Sequence, residues 1–355
     1  MPATTTELLQ RRLDKALDRH VTGATVAVHH HGGHLSWSGG AGDLQPDAPF
    51  FIASVTKLMT TALILQLIHR GELDFEDRLV DILDLDLTGL HTFKGVDYTG
   101  EITVARLLSQ TSGLADYFLG KASGGGLTLE RQVRQGQDQR WDLAQVLQWA
   151  REQGGRFAPG TPGKALYSDT NFQLLGAIIE QRTGQTYAEV LNAQIIEPLS
   201  LKQTWLYTDP EDDRPAPLRD GPAALVIPKA MVSFGPDGGI VSTSQELVVM
   251  VRAFFEGELF PAEMLVPLQI YRRVMFPLEY GTGFMRFQLP RWMTAFQASP
   301  ELLGHAGLSG AFAFCDPKYG LYFAGTVNQI ARPQRAFKLL LRIHNTVMGH
   351  LAPRR

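Results

Sequence analysis

Ser54 and Lys57 are the two residues whose types and spacing point most directly to chemistry. They open a segment, 51–71, that has helix-forming composition and ends on a glycine. Residues three apart share a helix face, so the serine oxygen and the lysine nitrogen can meet. A serine becomes a nucleophile when a neighbouring base takes its proton, and a desolvated lysine can be that base. The alternative is a helix-capping serine with a lysine on a solvated face.

Two later segments carry the other polar groups that an acyl-transfer site needs. Tyr167-Ser-Asp169 places a phenol and two polar side chains on a turn before a predicted helix. His305-Ala-Gly-Leu308 is a glycine-rich turn just before a predicted strand. Taken singly, such a tyrosine is usually a packing residue and such a histidine has no special role. Their chemical interpretation depends on the three segments occurring together.

The elements that must position these residues are strands at both chain ends with helices between. The patterns predict strands at 25–30, 34–38, 281–288, 310–315 and 320–327 and helices at 4–20, 103–110, 142–152, 170–182, 186–196, 244–256, 261–269 and 332–349. We therefore expect an α+β fold, with an antiparallel sheet flanked by helices and formed from both chain ends, and an inserted helical subdomain.

The predicted subdomain boundaries follow from that pattern. Segments 1–80 and 275–355 are expected to form the sheet part, and 81–274 the mainly helical part, with the active site in the cleft between them. The stretch 120–139 is rich in Gly, Gln and Arg. It predicts an exposed loop that borders the substrate entrance.

Composition limits the classes of function. The 355 residues are 44% hydrophobic and 19% charged, as in ordinary globular proteins, and the net charge of −3 gives no reason to expect nucleic acid or a membrane as partner. The single cysteine, Cys315, lies in an apolar run and predicts a buried thiol. Neither a signal peptide nor a spanning segment is evident, which predicts a cytoplasmic protein. The histidines at 29–31 and 34 predict an exposed polar turn, so no metal and no other cofactor is expected.

Taken in their order along the chain, the three segments resemble the motifs of the serine hydrolases of the β-lactamase and penicillin-binding-protein superfamily. That family carries an S-x-x-K, a Y-x-N and a K/H-T-G element, which stand here as Ser54–Lys57, Tyr167–Asp169 and His305–Gly307. The chain is most similar to the class C β-lactamase-like branch, which includes family VIII esterases and D-aminopeptidases. The resemblance extends over about residues 10–345 and implies a β-lactamase/transpeptidase-like fold.

The resemblance also implies a role for each matching residue. Ser54 is the expected nucleophile of an acyl-enzyme, and Lys57 and Tyr167 are expected to share the transfer of its proton. A phenol has a usual pKa near ~10, so Tyr167 would need the Lys57 cation nearby to act as a phenolate base. The backbone N–H groups of Ser54 and Leu308 are the expected oxyanion hole. The expected substrate-contacting residues are Asp169, His305 and Gly307.

Two departures from the family pattern bear on the substrate. Asp169 replaces an asparagine, and its carboxylate would raise the pKa of Lys57 and suit a cationic group such as a substrate amine. His305-Ala306 replaces a lysine and a threonine that often bind a substrate carboxylate. Esters or amides without a terminal carboxylate are therefore expected in preference to β-lactams.

We accordingly expect a serine hydrolase that acts on the ester or amide bond of a small substrate. A carboxylesterase is the leading interpretation. The open alternatives are a D-aminopeptidase or amidase, a β-lactamase, an acyltransferase and a catalytically silent binding module on the same fold. An α/β-hydrolase is disfavoured because the sequence contains no G-x-S-x-G motif. The oligomeric state is not indicated.

Overall fold

The computed structural model describes residues 4–120, 126–294 and 299–351. The helices are α1 (Thr5–Asp14), α2 (Thr56–His69), α3 (Leu79–Ile82), α4 (Val104–Leu108), α5 (Leu129–Arg134), α6 (Leu143–Gln153), α7 (Asp169–Thr183), α8 (Tyr187–Leu191), α9 (Pro228–Gly238), α10 (Ser244–Glu256) and α11 (Gln334–Leu351). The strands are β1 (Gly23–His30), β2 (Ser36–Gly42), β3 (Phe50–Phe51), β4 (Thr92–Phe93), β5 (Val96–Asp97), β6 (Trp205–Leu206), β7 (Leu218–Asp220), β8 (Ala223–Leu225), β9 (Ile240–Ser242), β10 (Arg272–Met275), β11 (Leu278–Tyr280), β12 (Met285–Phe287), β13 (Leu302–Ala306), β14 (Ala311–Asp316) and β15 (Leu321–Thr326).

An eight-stranded antiparallel sheet joins the two ends of the chain. Its strand order is β10-β11-β12-β13-β14-β15-β1-β2. The N-terminal strand β1 pairs with the C-terminal strand β15, where Ala27 lies opposite Ala324. The predicted α+β class and the predicted origin of the sheet in both chain ends are confirmed.

Helices cover both faces of this sheet. Phe323 of β15 lies against His344 of α11, with ring centroids 5.6 Å apart. The next residue along the strand, Tyr322, interacts with Glu256 of α10 instead. Successive side chains of a strand point to opposite faces, so α11 and α10 pack on opposite sides. Cys315 on the neighbouring strand is a free, buried thiol, as its apolar surroundings predict.

Helix α2 is the central element of the helical region. Most of its residues are buried, including Lys57, which is typical of a helix surrounded by other elements. It packs against α7, α8, α9 and α10. Lys57 therefore does not lie on a solvated helix face, as the alternative of a capping serine would require. The division into a sheet part and a helical part at 80 and 275 stays a prediction.

The structure differs from the sequence-based expectations at several elements. The segment around Ser54 is a short strand and a 3₁₀ turn, and α2 begins only at Thr56. Helix α5 interrupts the predicted loop 120–139, and its buried Leu129 and Val133 pack in a core cluster that periodicity over such a short helix does not reveal. Residues 121–125 of that prediction lie outside the described residues. The predicted helix 261–269 is only a 3₁₀ turn at Ala262–Leu265.

The C-terminal strands also differ in detail. The predicted strand 281–288 is the shorter β12, and the hairpin of β10 and β11 before it was not predicted. Of the helices in the described part of the chain, none combines the length and apolar character needed to cross a bilayer.

Candidate active site

Ser54 lies on a tight turn that hydrogen bonds to β9 and to the turn after β13 hold in place. The turn is the 3₁₀ segment Ala53–Val55 between β3 and α2. The Ile52 N–H donates to the carbonyl of Ile240 at 3.0 Å, and the Ser309 hydroxyl donates to the carbonyl of Phe51 at 2.9 Å. Ala53 has a φ of +47°, a left-handed conformation that an α-helix does not accept. The serine is therefore presented on a constrained turn next to α2.

Lys57 is fully buried, and three acceptors surround its ammonium group. The Nζ atom lies 3.2 Å from Ser54 Oγ, 2.6 Å from the carbonyl oxygen of Asp237 and 2.6 Å from Asp169 Oδ1. An ammonium group has three donors, so each one has a partner. Burial alone would lower the pKa of Lys57, but the carboxyl groups of Asp169 and Asp237 outweigh it and the pKa is raised. In the resting protein Lys57 is therefore a cation that donates to Ser54.

Asp169 occupies the family's asparagine position and forms the ion pair with Lys57. It is the first residue of α7, where the positive end of the helix dipole stabilises a carboxylate. The turn before it is tethered to another loop, because the Ser168 N–H donates to Gln110 Oε1 at 2.8 Å and its hydroxyl donates to the carbonyl of Ala115 at 3.1 Å. The predicted effect of Asp169 on the pKa of Lys57 is present in the structure.

Tyr167 stands beside Ser54 and Lys57. Its phenol hydrogen bonds with the side chain of Ser54, and Lys57 Nζ is 5.3 Å from the centre of its ring. Burial and the charge of Asp169 raise the pKa of Tyr167 well above that of a free phenol, although the Ser54 hydrogen bond opposes this. The phenol is therefore protonated in the resting protein, and the expected phenolate base is not its resting form.

Two buried carboxyl groups near Lys57 were not found from the sequence. Asp237 follows the break in α9 at Gly235, and its carboxyl group accepts from Tyr117 Oη at 2.8 Å and Gln173 Nε2 at 2.9 Å. Burial and Asp169 raise the pKa of Asp237 well above its usual range. Asp116 accepts from two backbone N–H groups, and burial and Asp169 raise its pKa to about 8.

A sequence signal for both residues exists in retrospect. Asp116 is the only charged residue between Arg106 and Lys121, and Asp237 is the only one between Lys229 and Glu246. A lone acidic residue in a long uncharged run indicates burial, and a buried carboxyl group needs partners.

The glycine turn after β13 lies directly against the turn that carries Ser54. A Cβ atom on Gly307 would be 2.7 Å from the carbonyl oxygen of Ile52 and 3.3 Å from the backbone nitrogen of Ser54. Only a glycine permits this approach. The N–H of Gly307 is used within its own turn, where it donates to the carbonyl of Ala311 at 2.8 Å. The oxyanion hole formed by the amides of Ser54 and Leu308, the next residue, stays a prediction.

His305 is buried and does not reach the protein surface. The ring is fully buried, and burial together with the Lys57 cation lowers its pKa to about 3. Its Nδ1 donates to the carbonyl of Ala306 at 2.9 Å, so Nε2 is an acceptor for the Tyr280 hydroxyl at 3.3 Å. Tyr280, also missed from the sequence, packs edge to face on Tyr167 with ring centroids 5.9 Å apart. His305 thus supports the tyrosines from behind, and the expectation that it contacts substrate is not met.

A cavity of about 320 Å³ opens onto Ser54, Tyr167 and Asp169. Gly307 and Leu308 line the same cavity, so of the predicted site residues only the buried Lys57 and His305 do not reach its surface. The remaining lining is largely apolar, although the ion pair of Glu130 and Arg134 also reaches it. Its larger apolar side chains are Phe51, Phe118, Leu119, Val133, Leu218, Ile227, Met231, Phe234, Met275, Phe276, Leu278, Met285, Ile330 and Phe337. Such a lining suits an apolar substrate group next to the nucleophile.

Gly307→Ala tests the close approach of the two turns. The added methyl group displaces the Leu308 amide from Ser54, so we expect kcat/KM for an ester to fall about 100-fold, as for loss of an oxyanion donor. Gly100→Ala, where an added methyl group meets no atom within 4 Å, is the matched control. Melting curves of both variants monitor folding. A Gly307→Ala enzyme with wild-type kcat/KM would contradict this assignment.

Asp116→Asn tests the raised pKa of the buried carboxyl group. Unfolding lets Asp116 titrate at its usual pKa of 3.8, whereas the folded value is about 8, so this group makes the protein less stable as pH rises from about 4 to about 8. An amide oxygen can still accept the two backbone N–H groups. The stability of Asp116→Asn relative to wild type, measured by urea unfolding, should therefore increase between pH 5 and pH 8. A difference in stability that stays constant between pH 5 and pH 8 would refute the raised pKa of Asp116.

Comparison with known proteins gives matches over most of the chain. A profile of the Beta-lactamase family matches residues 7–347. Penicillin-binding protein 4 of Amycolatopsis lactamdurans is 30% identical over 277 residues, which are 71% of this chain and 64% of that protein. Esterase EstB of Burkholderia gladioli is 31% identical over 237 residues, 59% of this chain and 57% of that protein. The chain thus spans less than two thirds of the length of these curated relatives.

A solved structure matches over almost its full length. The D-stereospecific amidohydrolase from Streptomyces sp. superposes with a TM-score of 0.76 at 25% identity, covering 94% of this chain and 97% of that one. The fold that the three motifs imply is thereby confirmed. Since the family profile spans the segments that carry Ser54, Tyr167 and His305, the chain belongs to the Beta-lactamase family.

Proposed function

We propose that this protein is a serine hydrolase that cleaves carboxylic esters of small apolar acids through an acyl-enzyme on Ser54. One observation carries the proposal: Ser54 Oγ lies 3.2 Å from Lys57 Nζ at the end of a cavity with a largely apolar lining. The nucleophile and its proton partner are in contact, and the space in front of them suits an acyl group without charge.

The proton of Ser54 needs an acceptor, because Lys57 and Tyr167 are both protonated at rest. Asp169 lies 2.6 Å from Lys57 Nζ and is the natural site for the extra lysine proton. A shift of that proton to Asp169 leaves a neutral amine, which then takes the Ser54 proton as the oxygen attacks the ester carbonyl. This step assigns Asp169 a part in proton transfer.

Collapse of the tetrahedral intermediate breaks the bond to the alcohol oxygen. Tyr167 donates its proton to that oxygen, and Lys57 restores the proton to the phenolate. Water then attacks the acyl-enzyme by the reverse route and releases the acid. The amides of Ser54 and Leu308 stabilise the oxyanion in both halves.

The charge distribution favours neutral esters over β-lactams and carboxylate-terminated peptides. The position at which relatives often carry a lysine holds His305, which is neutral because its pKa is about 3 and which is turned away from the cavity. Ala306 lines the cavity at the neighbouring position and offers no side-chain hydrogen bond. A substrate carboxylate would thus lose hydration with no cation from this turn in return.

An amidase acting on amine-bearing substrates is the second candidate. Asp169 lines the cavity next to the nucleophile, and the Streptomyces structure of similar fold is described as a D-stereospecific amidohydrolase. The ion pair with Lys57 already occupies the Asp169 carboxylate, so a substrate ammonium group has to compete for it. Because of this competition, esters are the favoured substrates and amine-bearing amides come second.

The first test is hydrolysis of p-nitrophenyl acetate and butyrate, D- and L-amino-acid p-nitroanilides and nitrocefin. We expect ester turnover, its loss of more than about 1,000-fold in Ser54→Ala, and an acyl adduct on Ser54 by mass spectrometry. Ser36→Ala, an exposed serine on β2, is the control. Faster hydrolysis of a D-amino-acid anilide than of the esters would favour the amidase. Turnover of nitrocefin would favour the β-lactamase. Inactivity without an adduct would favour the silent binding module, and acylated products formed with an added alcohol would indicate an acyltransferase.

Asp169→Asn tests the ion pair with Lys57. Loss of the carboxylate lowers the pKa of Lys57, so the rising limb of kcat/KM against pH for a neutral ester should move to lower pH. If Asp169 also binds a substrate amine, hydrolysis of an amino-acid anilide should fall more than that of the ester. Equal losses on both substrates would remove the amine-binding role, and an unchanged pH profile would remove the proton-transfer role.

A further inference from the structure

An exposed apolar surface adjoins the candidate active-site cavity. Four large side chains form it, and we call them the apolar rim: Met275, Phe276, Trp292 and Met293, with exposed fractions of 54%, 51%, 67% and 46%. The rings of Phe276 and Trp292 lie almost parallel, at 13°, with centroids 6.4 Å apart. Large apolar side chains that lie together on a protein surface are typical of a binding site.

The apolar rim is continuous with the wall of the cavity. Met275 and Phe276 belong to the rim and also line the cavity that ends at Ser54. Leu278, on the inner side of the same hairpin, is buried and lines that cavity too. An apolar path therefore leads from the nucleophile along the β10–β11 hairpin to the protein surface.

We propose that the apolar rim binds the distal part of a long aliphatic acyl chain, the carbonyl of which is attacked by Ser54. This inference rests on the proposed esterase function and names its substrate class as medium- to long-chain acyl esters. A chain fixed at Ser54 runs through the apolar cavity and emerges over Met275 and Phe276. Trp292, stacked beside Phe276, extends the same surface.

The continuity of the surface favours a substrate chain over a second copy of the protein. A flexible acyl chain contacts the cavity wall and the rim at once. A folded protein surface could contact the rim but not the wall of the cavity behind it. The rim is also built from methionine and aromatic side chains, which adapt to chains of varying length without hydrogen bonds of fixed geometry.

We expect the binding of the ester to become gradually tighter as its acyl chain becomes longer. Full removal of one methylene group from water is worth a factor of about four in binding. A chain lying on an open surface loses water from one side, so roughly half of that free energy, or a factor of about two per carbon, is expected beyond the cavity. The gain should appear in kcat/KM through KM, because the distal chain does not take part in bond breaking.

The test compares p-nitrophenyl acetate, butyrate, octanoate and decanoate, each below its aggregation limit, on wild type and on Trp292→Ser/Met293→Ser, which changes the two rim residues that do not line the cavity. We expect the double variant to lose about tenfold or more in kcat/KM on octanoate and decanoate, through KM, and to stay within twofold of wild type on acetate. Retained acetate turnover shows that the variant is folded. The control is Val96→Ser, an apolar residue on β5 that is 51% exposed and does not line the cavity. This variant should leave kcat/KM unchanged for every ester.

The outcomes separate this inference from the proposed function. Absence of Ser54-dependent turnover with every ester overturns the esterase itself. Ser54-dependent turnover with a chain-length profile that the double variant leaves unchanged, or lowers equally at all lengths, overturns only the apolar rim as acyl site. Sedimentation velocity is run in parallel. A wild-type dimer that the double variant dissociates, with an unchanged chain-length profile, assigns the rim to self-association instead.

Discussion

The buried ammonium group of Lys57 is the constraint on which the rest of the site depends. A charge without water is tolerated only when it is paired and hydrogen bonded. Its partners come from three separate places: Ser54 on the turn before α2, Asp169 at the start of α7, and the carbonyl of Asp237 near the end of α9. The lysine therefore links the nucleophile to both neighbouring helices, and any shift of one helix would leave a buried donor without an acceptor.

This constraint explains features of the fold that have no purpose locally. The break of α9 at Gly235 precedes the carbonyl of Asp237 that accepts from Lys57. The left-handed Ala53 places Ser54 on a turn instead of in the helix. Gly307 permits the turn after β13, an inner strand of the large sheet, to approach that turn. Each feature brings a separate part of the chain close to Ser54.

The carboxyl groups around Lys57 also determine what the site can do. Asp116, Asp169 and Asp237 face one buried cation, and burial near Asp169 favours the protonated forms of Asp116 and Asp237. The cluster thus balances its charge by holding protons. The neutral His305 behind Tyr280 adds no cation, and the cavity in front has a largely apolar lining. The combination favours an uncharged, apolar acyl group over a carboxylate-bearing one.

Local patterns in the sequence determined the Ser54–Lys57 pair, the three ordered motifs and the construction of the sheet from both chain ends. Spacing and periodicity act within a few residues, and the strands and helices that they predict mostly exist. Tertiary structure decided where α2 begins, that Asp116 and Asp237 join the site, and that His305 turns inward onto Tyr280. Burial, partners and pKa values arise from residues far apart in the chain, for example the 2.6 Å contact between Lys57 and Asp237. A motif names the chemical groups, whereas only packing determines which protons they hold and which of them meet a substrate.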